Sequence, residues 1–120
     1  MNTGCRFGLR LALKGSPRAF FGPGPVRLLR LVRSGKSLNK AAEELGMAYS
    51  KAWRIIKDAE SEFGFALLHS SIGGRNGGGS KLTERGKQLL EVYDRIEKEL
   101  QDHAEELYCQ YVEPLLNPRT

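Results

Sequence analysis

The spacing of apolar residues changes twice along this chain. Phe7, Leu9, Leu11 and Leu13 alternate with Gly8, Arg10, Ala12 and Lys14, the period of two of a half-buried strand, and predict one over about 7–14. Gly15, Ser16 and Pro17 end it. The run from Phe20 to Pro25 reads as a connector whose prolines disfavour helix upstream and can start one downstream. From there the spacing is three and four. Val26, Leu28, Leu29 and Val32 turn inward on a helix over about 24–34, and Leu38, Ala41, Ala42 and Leu45 on a second over about 38–45. Ala52, Ile55, Ile56, Ala59 and Phe63 do so on a third over about 48–62. Gly35 closes the first helix, and Ser37 caps the second by accepting from an otherwise unbonded amide. The paired alanines of the second helix permit a close crossing.

Beyond Gly64, the short apolar stretch Phe65 to His69 and the triplet Lys81-Leu82-Thr83 flank a glycine-rich tract from Ile72 to Ser80, which predicts a two-stranded hairpin with a flexible tip. The strand over 7–14 is expected to be the third member of a small sheet beside it. Thr83 is a good cap and Glu84 suits a positive helix start, so a long helix is predicted over about 83–111. Leu89, Tyr93, Ile96, Leu100 and Leu107 alternate by four and three once His103 fills the gap before Leu107, with Tyr111 a further four on, the spacing read as a coiled-coil seam. Such a helix would reach roughly 40 Å, longer than one small domain needs to cover itself. A homodimer held by that seam is the expectation, and Pro114 and Pro118 are expected to stop the helix. The fold class is therefore mainly α with a small β-sheet. A winged helix-turn-helix over 7–82 is followed by a long C-terminal dimerisation helix over 83–112, with flexible termini at 1–6 and 113–120.

Charge adds a partner. Residues 1–60 hold twelve Lys/Arg against four Asp/Glu, and residues 61–120 hold seven against ten, within a net charge of +5. A basic half suits a polyanion, and an acidic half leaves room for a second copy of the chain. Cys5 and Cys109 stand near opposite ends without paired spacing, and no secretory segment is evident, so a reducing cytoplasm is expected. Arg10, Lys14 and Arg18 break the one apolar run near the N-terminus that approaches a membrane span.

Between Ser37 and Glu60 two short amphipathic helices hinge at Gly46, an arrangement that holds the second out where its first turns can enter a DNA major groove. Ser50, Lys51 and Arg54 occupy those turns, and Arg can bind both guanine acceptors at once. Tyr49 is placed to donate to a phosphate or to pack on the preceding helix. Lys40 and Lys57, with Lys36, are candidates for flanking phosphates or plain solubilising charges. In the glycine-rich tract Arg75 could reach the backbone or the minor groove, and Lys81 a phosphate. Trp53 falls between the buried and exposed stripes and is read as packing at the domain edge. The tract lacks the Gly-Lys-Ser/Thr order of a nucleotide loop. His69 and His103 have no neighbours at metal-ligand spacing, so no metal is expected, and without a nucleophile–base pair, carboxylate constellation or cofactor loop no catalysis is expected.

The block SLNKAAEELGMAYSKAWRIIKDAESEFGFALL resembles the LysR-type winged helix. The Ala48-Tyr49-x-x-Ala52-Trp53 motif and the glycine-rich wing before Leu82-Thr83-x-x-Gly86 are similar to the DNA-binding domain of the ModE molybdate-responsive regulators. The resemblance covers about 9–107. It implies a homodimeric, sequence-specific regulator of transcription whose partner is double-stranded DNA, with the helix over 48–62 in the major groove. No C-terminal molybdate-binding module is visible in these residues, so no cofactor, no direct molybdate binding and no other small-molecule ligand is expected. A winged helix used only for protein contact is the alternative.

Overall fold

The computed structural model describes residues 5–15, 17–69 and 80–118. The described parts of Leu11–Glu91 form one compact unit, and those of Met1–Arg10 and Val92–Thr120 form another.

In the first unit β1 (Leu13–Lys14) pairs antiparallel with β2 (Ala19–Phe21), Leu13 opposite Phe21 and Lys14 opposite Ala19, with a register shift between. The strand predicted over 7–14 is thus two residues long. It pairs with the aromatic connector and not with the hairpin, so two separate two-stranded sheets stand among the described residues. The cause lies in the phenylalanines. Phe21 is 1% exposed, and the rings of Phe20 and Phe21 meet Phe63 edge-on at 5.1 and 5.3 Å, so burying them draws residues 19–21 into line beside β1.

Helices α1 (Pro23–Arg33), α2 (Leu38–Glu44) and α3 (Tyr49–Phe63) pack pairwise around one core. Pro23 and Pro25 open α1, where a missing N–H costs no intrahelical bond. Val26, Leu28, Leu29 and Val32 are buried, as are Leu38, Ala41 and Ala42 of α2 and Ala52, Ile56 and Ala59 of α3. Alanines on both facing surfaces let the α2 and α3 backbones approach. The Ser37 side chain accepts from the Lys40 amide at 3.1 Å and caps α2. At its far end the Gly46 amide donates to Glu43 at 3.1 Å and the Met47 amide to Ala42 at 3.0 Å, with Gly46 at φ 72°. This pair of bonds is a Schellman closure, and a left-handed residue at its centre is what turns the chain into α3.

Strands β3 (Leu68–His69) and β4 (Lys81–Leu82) pair antiparallel, Leu68 opposite Leu82, as the hairpin reading predicts. Thr83 locks this hairpin to the next helix. Its hydroxyl donates to the Ala66 carbonyl at 2.7 Å and accepts from the Gly86 amide at 2.9 Å, while its own amide donates to Leu67 at 2.9 Å.

Helix α4 (Glu84–Leu107) begins in the first unit and continues into the second. In the second unit a wider π-turn over Tyr108–Val112 leads directly into α5 (Glu113–Leu116). Pro114 therefore does not stop the chain from coiling. The π-turn resets the hydrogen-bond ladder, and proline falls in the first turn of α5, where no intrahelical donor is required. The segment after Cys5 lies along α4 within this unit: Gln101 Nε2 donates to the Phe7 carbonyl at 2.9 Å, Phe7 meets Tyr108 edge-on at 5.8 Å, and Arg6 approaches Glu105 at 3.6 Å. Phe7 is held there rather than in a sheet. Among the described residues no helix is long and apolar enough to cross a membrane.

Candidate nucleic-acid interface

Helix α3 buries its alanine and isoleucine face and leaves the opposite one to solvent. Ser50, Lys51 and Arg54 are all exposed at its leading end, and among the described residues neither Lys51 nor Arg54 has an ion-pair partner. Tyr49 and Trp53, one turn apart, are 49% and 47% exposed. Trp53 thus stands half in water at the margin of the buried face.

Three of the other predicted cations are engaged. Lys40 lies 3.3 Å from Glu43, Lys36 2.8 Å from Glu44 and Lys57 3.2 Å from Glu60. The Lys57 ammonium also stands 5.5 Å from the centroid of Trp53. Exposed pairs of this kind are worth at most about 1 kcal/mol, so a phosphate can displace the carboxylate of Glu43 or Glu44 at little cost. Glu60 differs. Its side chain is only 11% exposed, and its second oxygen accepts the amides of Leu67 and Leu68 at 2.7 and 3.2 Å. One carboxylate so ties the end of α3 to the start of the hairpin.

Glu60 escaped the sequence reading. The available signal was an acid three residues after Lys57 on a face otherwise apolar or basic. A carboxylate there needs donors, and only the folded hairpin supplies them.

Lys81 is exposed on β4 opposite His69, and Arg75 lies outside the described residues. Behind the hairpin, Phe65 stacks on Phe63 at 5.4 Å and Arg85 lies 4.6 Å over the Phe65 ring, which stiffens the join between α3, β3 and α4.

The predicted seam divides. Leu89 is half-buried and Tyr93 buried, whereas Ile96 and Leu100 are 45% and 44% exposed, Leu107 is 38% exposed, and His103 pairs with Glu106 at 3.4 Å. Leu90, off the seam, is fully buried. Tyr111 is 64% exposed within the π-turn, which interrupts the four-and-three spacing. The described residues contain no group of three or more His, Cys, Asp or Glu able to hold a metal ion.

Residues 26–87 match the family described as bacterial regulatory helix-turn-helix protein, lysR family. The transcriptional regulator ModE of Haemophilus influenzae is 35% identical over 78% of this chain and 36% of its own length. The DNA-binding transcriptional dual regulator ModE of Escherichia coli K12 is 31% identical over 72% and 33%. The molybdenum transport protein ModE of Azotobacter vinelandii is 30% identical over 88% and 39%. The chain spans about a third of the length of the curated relatives it matches. Among solved structures, the BenM_DBD/benA site 1 DNA complex superposes with a TM-score of 0.51 at 20% identity, covering 79% of this chain and 96% of that one. ArgP from Mycobacterium tuberculosis also gives 0.51, at 21% identity over 71% and 30%. These likenesses agree with the winged helix built above.

Proposed function

The chain belongs to the bacterial regulatory helix-turn-helix proteins of the lysR family, and from that premise we propose that it is a sequence-specific DNA-binding regulator of transcription that works as a homodimer. Helix α3 enters the major groove, Ser50 and Arg54 face base edges, and Lys51 and the hairpin residue Lys81 meet backbone. One observation carries this reading: among the described residues Lys51 and Arg54 in the leading turns of α3 have no ion-pair partner, while Lys36, Lys40 and Lys57 around them are held by carboxylates. A guanidinium without a protein partner is available to a guanine, and a bidentate pair of that kind discriminates by about 1–3 kcal/mol.

Dimerisation is supported by Ile96, Leu100 and Leu107, which recur along α4 and remain partly exposed. A second copy of the helix would cover them and set two α3 helices on half-sites about one turn of DNA apart, roughly 34–36 Å, or a multiple of it. Neither a cofactor nor a catalytic step enters this reading. The relatives named for molybdenum share only part of their length with this chain, and no oxyanion site is assigned to it.

Selection from genomic fragments followed by footprinting tests the proposal. A selected duplex should show paired half-sites, Arg54→Ala should relax preference at one base position, and Lys81→Ala should weaken all sequences alike and lower the salt slope by about one. Absence of binding to any duplex at low salt would refute the proposal and favour a protein-contact module.

A further inference from the structure

Tyr49, Trp53 and Lys57 recur every four residues and so form a row along one edge of α3, beside the line through Ser50 and Arg54. Tyr49 and Trp53 are 49% and 47% exposed, and neither the phenol hydroxyl nor the indole N–H has a hydrogen-bond partner among the described residues. An indole half in water whose N–H no described protein group takes leaves that donor open to a ligand, as interfacial Trp places its N–H on an acceptor. Nor is the ring loose. Lys57 lies over it at 5.5 Å, Glu60 holds Lys57 at 3.2 Å, and the amides of Leu67 and Leu68 hold Glu60. The row is braced from behind and open in front.

We propose that Trp53 is a DNA-backbone contact, its indole N–H donating to a phosphate oxygen between the hydroxyl of Tyr49 and the ammonium of Lys57. The Cα positions of successive residues in the row rise about 6 Å along the helix axis, so their side chains can follow one strand of backbone. The three hold that strand while Ser50 and Arg54 read bases, so the edge sets register and not sequence. When a phosphate takes Lys57, Glu60 keeps its two backbone donors, and the hairpin stays in place. This inference rests on the DNA-binding reading above and adds a residue that reading did not use.

The test uses the full chain and a selected duplex. Trp53 is the sole tryptophan, so intrinsic emission reports this position alone. On saturation with DNA, acrylamide should lose access to it. Trp53→Phe keeps a ring but removes the N–H, and should weaken binding about tenfold on selected and random duplexes alike. Ethylation interference should lose one phosphate with this variant. Unchanged quencher access in a complex shown to form by mobility shift would overturn the proposal, as would wild-type affinity in Trp53→Phe or a loss confined to the selected sequence. Failure of the wild-type chain to bind any duplex would instead sink the DNA-binding reading and this inference with it.

Discussion

Replacing Gly86 by alanine should destabilise the protein, although the same change in an open helix position stabilises. A Cβ at residue 86 would stand 2.5 Å from the Leu67 carbonyl oxygen and 3.2 Å from Thr83 Oγ1. Neither atom can give easily. The Leu67 oxygen accepts the Thr83 amide at 2.9 Å, the Leu67 amide is held by Glu60 at 2.7 Å, and Thr83 Oγ1 already accepts from Gly86 and donates to Ala66. Restoring ordinary contact requires the carbonyl to retreat by most of an ångström, which breaks or stretches the Thr83 bond at about 1 kcal/mol and adds roughly 1–3 kcal/mol of overpacking. Against this, alanine gains up to about 1 kcal/mol over glycine in a helix, less in its first turn. The net expectation for Gly86→Ala is a loss of about 1–3 kcal/mol. Urea unfolding at fixed protein concentration measures it as a lower midpoint with unchanged slope. A variant as stable as wild type, or more so, would show that Thr83 and Leu67 do not join hairpin to helix as described.

Three further outcomes follow from the same structure. Gly46→Ala forces a side chain into φ 72°, and although nothing lies within 4 Å of the new Cβ, the strain should cost about 1–2 kcal/mol in thermal or urea melts, with Gly46→Asn milder. Leu100→Asp places a charge in the exposed apolar row of α4; sedimentation should show the wild-type chain as a dimer and this variant as a monomer, and a wild-type monomer at high concentration would remove the dimer proposal. Molybdate and tungstate should leave the melting temperature of the 120-residue chain unchanged, whereas stabilisation by either would place an oxyanion site within these residues.

The three helices of the body were legible because their determinants are local. Apolar residues three and four apart set the buried faces, Ser37 and Thr83 are caps whose partners lie three residues on, and Gly46 needs only its own left-handed dihedral to turn α2 into α3. Each of these is settled within one or two turns of chain. Pairings between distant segments were not legible. That β1 joins residues 19–21 depends on Phe63, more than forty positions away, and that Pro114 begins a helix instead of ending one depends on how the preceding turn widens. The candidate interface shows the same division. Sequence by itself determined that a basic helix face with Ser50, Lys51 and Arg54 would be presented to solvent. Only the tertiary structure decided that Lys57 is held by a carboxylate anchored on the hairpin and that Trp53 stands open beside it. The physical reason is that amphipathic periodicity assigns a residue to a face, whereas the partner it meets there is chosen by loop closure and by the competing burial of groups remote in the chain.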